Sequence, residues 1–266
     1  MADKALTVND FQRMKKEGVR ITALTAYDAI FASLLDEAGI DLILVGDSLA
    51  NVFQGRETTL SVTLEEMVYH GEIVARSVSR AFVVLDMPFM SFQVSVEEAV
   101  RNAGHIMKAT GCKAVKLEGG ISVSKAICRI VEIGIPVLGH IGLTPQSVHA
   151  FGGYGVRGRE NRQAVIDDAL AVGDAGAFAL VLEKMPKSLA REITEKLSIP
   201  TIGIGAGPYC DGQILVTPDM LGLFKTYKPS FVRKYADLSG CTLEGVKKYI
   251  GDVRMKVFPS EKESYD

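Results

Sequence analysis

The sequence has no long hydrophobic run. No stretch approaches the roughly 18 uninterrupted apolar residues that a membrane span needs, and the opening MADKALTVNDFQRMKKEG mixes its charges without the continuous apolar segment of a secretory signal. Charge of one sign is also missing: the formal net charge is −2, so no attraction to nucleic acid or to an anionic lipid surface is expected. The four cysteines, Cys112, Cys128, Cys210 and Cys241, form no CxxC pair and have no histidine at zinc-ligand spacing. That excludes a disulfide framework and points to reduced thiols in the cytoplasm. Proline is scarce, nine residues against 26 glycines, which suits many tight turns rather than a proline-rich or fibrous chain. The expected partner is a small molecule.

What is present is a chain of 266 residues, 47% hydrophobic and 23% charged, able to bury a substantial core. Length alone allows one large domain or two small ones. Eight short apolar runs decide for one: Ile21 to Asp28, Leu42 to Ser48, Phe82 to Pro88, Ala114 to Gly120, Pro136 to Gly142, Phe178 to Lys184, Pro200 to Gly207 and Gln213 to Asp219. Runs this apolar fit parallel strands buried on both faces. Helical spacing lies between them. Thr63 with Glu66 reads as a capping box ahead of Leu64, Met67, Val68, Val74 and Val78; Ser95 with Glu98 repeats it ahead of Ala99, Val100, Ala103, Ile106 and Met107. A further helix is expected between Asn161 and Gly176.

Eight strands alternating with helices, and no compositional break, predict one (β/α)8 barrel over residues 1–266 with a C-terminal helical extension. Leu243, Val246, Tyr249, Ile250 and Val253 would line that helix, packed on the barrel or on a neighbouring subunit. An open doubly wound sheet is disfavoured. GIGAG at Gly203 to Gly207 is followed by Pro208 and comes late in the chain, unlike a dinucleotide-binding turn.

A barrel of this kind carries its site at the carboxyl ends of its strands. Asp47, Asp86 and Glu118 end three neighbouring strands there, His140 lies on the fifth and Glu183 ends the sixth. At an effective dielectric of about 20, two like charges about 4 Å apart repel by about 4 kcal/mol, so such a cluster takes up protons or binds a cation. All-oxygen donors favour a hard divalent ion such as Mg2+. Glu183, across the ring, is better placed as a general base than as a ligand. Lys116 shares a strand face with Glu118 and could neutralise a substrate carboxylate or a developing enolate. Each acid alone could equally cap a helix, Lys116 could be no more than a salt-bridge partner, and His140 could be an interior hydrogen-bonding group.

Specific motifs narrow this. TAYDA (Thr25 to Ala29), VGDSL (Val45 to Leu49), DMPFMS (Asp86 to Ser91), VKLEGG (Val115 to Gly120), GHIGLTPQS (Gly139 to Ser147), FGGYGVRGR (Phe151 to Arg159), LVLE (Leu180 to Glu183), IGIGAG (Ile202 to Gly207) and DGQILV (Asp211 to Val216) run in order along nearly the whole chain. With them the sequence resembles the ketopantoate hydroxymethyltransferase family. The resemblance implies a (β/α)8 barrel, Mg2+, and transfer of a hydroxymethyl group from 5,10-methylenetetrahydrofolate to 3-methyl-2-oxobutanoate. It makes Asp47, Asp86 and Glu118 look like metal ligands, Asp47, Ser48, Asp86 and Lys116 like substrate contacts and Glu183 like the proton acceptor; His140, from its place on the fifth strand, is expected to assist as a donor behind them. It also implies a homo-oligomer, a decamer of stacked pentamers. The chain departs from the family at Ala50 and Asn51, where Gly and an apolar residue are usual, and at Gly155, where Lys is common. These positions bear on the loop after the second strand and on the shape of the mouth. Barrels of the phosphoenolpyruvate mutase and isocitrate lyase type include lyases with a catalytic cysteine in a KKCGH segment, which is missing here.

Overall fold

The computed structural model describes residues 4–224 and 229–265; Met1 to Asp3, part of the opening segment read above, lie outside them. Eight strands, β1 (Ile21–Thr25), β2 (Leu42–Val45), β3 (Phe82–Asp86), β4 (Ala114–Glu118), β5 (Val137–Gly142), β6 (Ala179–Glu183), β7 (Thr201–Ile204) and β8 (Gly212–Leu215), pair in parallel and in order, and β8 pairs back onto β1 to close a barrel. Each expected apolar run coincides with one strand, β8 starting one residue ahead of its run. The expected runs overshoot at some ends because a residue past a strand begins the next helix: Asp28 accepts the Phe31 N–H at 2.9 Å and caps α2 (Ala29–Glu37), preceded in the chain by α1 (Val8–Glu17).

Helices α3 (Leu49–Val52), α4 (Leu64–Arg76), α5 (Val96–Thr110), α6 (Ser124–Glu132), α7 (Arg162–Asp174) and α8 (Lys187–Lys196) fill the connections from β2 to β7. The Thr63/Glu66 box forms in both directions at the start of α4, whereas at α5 only the Ser95 hydroxyl is engaged, accepting the Glu98 N–H. Met67, His70, Gly71 and Val74 form the buried face of α4, and Val78 falls beyond its end. One connection departs from the expected alternation. Between β7 and β8 the described chain has no helix; Asp211 instead accepts the Thr201 N–H at 2.8 Å and pins the short loop at its foot.

The amino ends of the strands are closed by α1. Its Phe11 is fully buried between Phe82 and Phe178, ring centroids 5.3 and 5.7 Å away, amid Ile21, Leu42, Leu138 and Ile202. Lys15 ties the helix down by donating to Asp211 at 2.7 Å and to the Thr194 carbonyl at 3.2 Å.

The chain divides into two compact units, 1–215, which contains the whole barrel, and 216–266. In the second, α9 (Thr217–Met220) is followed by α10 (Leu238–Arg254), whose first turn is capped by Asp237 accepting from Gly240. Leu243, Val246, Tyr249, Ile250 and Val253 lie on α10 and are exposed. Among the described residues no helix is long and apolar enough to cross a membrane.

Phe11→Ala removes the centre of the aromatic plug and leaves a cavity that flanking strands cannot fill. The expected cost is about 3–5 kcal/mol, read as a lower urea midpoint at unchanged m-value.

Candidate active site

Strand register assembles the site. Asp86 stands beside Lys116 across β3 and β4, and Glu118 beside His140 across β4 and β5. Glu183 stands beside Gly142 across β5 and β6. A Cβ on Gly142, at φ 93°, would come 2.3 Å from the Glu183 carbonyl oxygen, so glycine there allows the close approach that places the end of β6. The Asp47 N–H donates to Asp86 Oδ2 at 3.1 Å; Lys116 Nζ donates to Asp86 Oδ1 at 2.5 Å and to Glu118 Oε1 at 3.4 Å. His140 continues the line, with Nδ1 3.4 Å from Glu118 Oε1 and Nε2 3.2 Å from Glu183 Oε2. Neither ring nitrogen is aligned for a hydrogen bond, and the contacts are ion pairs when the ring is protonated. Six of the expected residues therefore form one line of contacts at the carboxyl ends of β2 to β6. The seventh, Ser48, sits beside Asp47 with its hydroxyl 2.8 Å from the Tyr27 hydroxyl. Asp28 shows what a capping acid looks like in this fold. Asp47, Asp86 and Glu118 do not cap helices; they face one another inside.

Burial sets the electrostatics, because Asp47, Asp86, Lys116, Glu118 and His140 are each no more than 6% exposed. Desolvation raises the Asp47 carboxyl well above its ordinary range, and the charges of Asp86 and Glu118 push the same way against Lys116 and the Gln146 amide. Asp86 is raised by burial, with Lys116 opposing. Glu118 is buried too, but Lys116, His140 and the Gln146 N–H bring it down to about 2. Burial works against the Lys116 ammonium, and the carboxylates of Asp86, Glu118 and Asp47 more than offset it, holding its pKa above the ordinary lysine value. His140 loses to burial and to Lys116 and gains more from Glu118 and Glu183, rising to about 9.

Three carboxylates around one ammonium leave the cluster short of positive charge, and Asp47 carries that shortage most plainly. An all-oxygen, negatively charged, buried donor set is one that fits a hard divalent cation. Among the described residues no three acidic, histidine or cysteine side chains are drawn together as a metal cage. Lys116 stands between Asp86 and Glu118 and holds them apart.

Two site residues carry no signal that the sequence reading used. Tyr27, in TAYDA, holds the Ser48 hydroxyl. Gln146, in GHIGLTPQS, is buried in a 3-10 turn after β5 and reaches both Asp47 and Glu118. The FGGYGVRGR loop follows, with the Arg157 guanidinium 3.7 Å from the Phe151 ring centroid and the Arg157 backbone N–H donating to the Lys184 carbonyl at 2.9 Å. Gly155 has open space where a Cβ would stand. Of the other departures, Ala50 is fully buried and Asn51 donates to the Arg56 carbonyl at 2.9 Å, closing the loop after β2 on itself.

Comparison with known proteins places this geometry in a family. Among solved structures of similar fold, phosphonopyruvate hydrolase in complex with oxalate and Mg2+ superposes with a TM-score of 0.62 at 14% identity, covering 97% of this chain and 93% of that one. A 2,3-dimethylmalate lyase of the PEP mutase/isocitrate lyase superfamily gives 0.60 at 16% identity, covering 97% and 91%. These likenesses concern the fold alone. In sequence, the 3-methyl-2-oxobutanoate hydroxymethyltransferase of Pelobacter propionicus is 54% identical over 264 residues, covering 99% of this chain and 98% of its own. That of Chlorobaculum tepidum is 56% identical over 258 residues, covering 95% and 93%. The sequence model of the ketopantoate hydroxymethyltransferases matches residues 5–261, and the chain belongs to the ketopantoate hydroxymethyltransferase family.

Proposed function

We propose that this protein transfers a hydroxymethyl group from 5,10-methylenetetrahydrofolate to 3-methyl-2-oxobutanoate, giving 2-dehydropantoate in pantothenate biosynthesis. The observation that carries the reading is the unbroken line of contacts from Asp47 to Glu183 across five consecutive strand ends, in a chain of this family. Asp47, Asp86 and Glu118 would hold Mg2+. When bound, the cation supplies a Lewis acid that steadies negative charge on the keto oxygen.

The chain's own groups do the rest. Lys116, cationic at any working pH, offers its charge to the substrate carboxylate, and Ser48, steadied by Tyr27, offers a hydroxyl. Glu183 accepts the proton from C3, and the C–H electron pair passes into the C2–C3 bond of the enolate. Water adds to the methylene carbon of the folate and both of its C–N bonds break, their electron pairs returning to the two folate nitrogens as amines, so that the carbon is freed at the oxidation level of formaldehyde. The C2–C3 electron pair of the enolate then attacks that carbon, and the alkoxide so formed takes back the proton held by Glu183. His140, 3.2 Å from Glu183 and 3.4 Å from Glu118, orients the base from behind. The low dielectric of this buried line strengthens each of these interactions relative to water.

The reading extends to setting. The four cysteines are unpaired, which supports a reducing compartment, the cytoplasm. A homo-oligomer, a decamer by family resemblance, is supported by the exposed apolar residues of α10. Light scattering is expected to give a mass several times that of one chain; a monomer at micromolar concentration would overturn this part.

Proton exchange tests the chemistry without folate. In deuterated water, exchange at C3 of 3-methyl-2-oxobutanoate, followed by NMR, is expected to require Mg2+ and to fall by about 10²–10⁴-fold in Glu183→Gln. Exchange that survives EDTA would sink the metal-dependent step. Exchange undiminished in the variant would move the base to another residue.

A further inference from the structure

One buried side chain touches more of the site than any role assigned above explains. Gln146 Nε2 donates to Asp47 Oδ2 at 3.0 Å and to the Met87 carbonyl at 3.0 Å, while its backbone N–H donates to Glu118 Oε2 at 3.0 Å. Its Oε1 accepts from Gln93 Nε2 at 3.0 Å. The amide orientation is fixed by chemistry, since a carbonyl and a carboxylate can only accept and the group facing them must be the NH2. One residue after β5 thus binds the acid that follows β2 and the acid that ends β4, and it leans on the loop after β3.

We infer that Gln146 is a positioning residue for the cation site, using its amide to commit one oxygen of Asp47 and its backbone N–H to commit one oxygen of Glu118. This rests on the reading of Asp47, Asp86 and Glu118 as the residues that hold the cation. The physical reason lies in the carboxylate rotor. The plane of a short carboxyl side chain turns readily, and Asp47, buried at the mouth, has its Oδ2 held by the Gln146 amide. A donor on Oδ2 selects the orientation in which Oδ1 is directed away from that bond. Gln93 completes the device by holding the Gln146 oxygen, so that the NH2 cannot turn away from Asp47.

The experiment is direct metal binding to the full-length protein without substrate, with Mn2+ as probe and its free electron paramagnetic resonance signal as readout. Gln146→Met keeps the bulk of the side chain and the backbone N–H on Glu118, so it reports on the amide alone. Its Mn2+ Kd is expected to rise by about tenfold or more, with a native circular dichroism spectrum, and its turnover is expected to recover as Mg2+ is raised. Gln93→Leu, at an exposed position, is expected to give a smaller rise in the same direction. Asp47→Ala is the control. If it loses Mn2+ while folded Gln146→Met binds as tightly as the wild type, the positioning role is overturned and the site reading stands. Should Asp47→Ala bind Mn2+ like the wild type, the site reading itself fails and this inference falls with it. Where Gln146→Met does not fold, Gln93→Leu decides, and an unchanged Kd in that variant counts against the role.

Discussion

An ammonium buried among three carboxylates is the constraint around which the mouth of this barrel is organised. Lys116 cannot stand in the interior without Asp86 and Glu118, and those acids cannot stand there without it. Removing one member of such a group leaves an uncompensated buried charge, at a cost of about 3–5 kcal/mol. The pairing also fixes which strand ends must be adjacent. Asp86 and Lys116 are register partners on neighbouring strands, so the electrostatics and the hydrogen-bond ladder specify the same arrangement. The ion pairs do not balance. Asp47 is the acid that the surplus of carboxylates disfavours most as an anion, and that imbalance is what the cation proposed above would offset.

The elements around the cluster divide their work by distance from it. Tyr27 and Gln146 touch the cluster through hydrogen bonds, one to the Ser48 hydroxyl and one to the Asp47 carboxyl. Gly142 acts further back, letting β6 close on β5 so that Glu183 comes within reach of His140. The loop from Phe151 to Arg157 is anchored to the end of the same strand through Lys184. Parallel strands suit this arrangement because their carboxyl ends all open on one side, where acids from β2, β3, β4 and β6 can meet.

The barrel was legible in the sequence because strands buried on both faces must be apolar throughout, and Leu42–Val45 or Phe82–Asp86 can hardly be read otherwise. The acids were legible for the same reason: a charge that ends such a run stands out against it. The connection between β7 and β8 was not, since Gly205 to Asp211 folds as a loop through bonds between Asp211 and Thr201 that no local periodicity records. Nor was Gln146. Its meaning lies in a contact with Asp47, 99 residues earlier, and an amide after a proline looks in isolation like any turn residue. Phe11 belongs to the same class, because a helix ahead of the first strand gains its role only from Phe82 and Phe178, which the closed barrel brings to it.

That aromatic plug has a kinetic consequence. With Phe11 packed into the amino ends of the strands, the buried charges are open to solutes from the carboxyl ends. On the function proposed above, two reactants of unequal size would share that one doorway, the small oxo acid entering before the bulky folate covers it and leaving, enlarged by one carbon, after the spent carrier has gone. Order of binding is then a property of architecture: last in, first out.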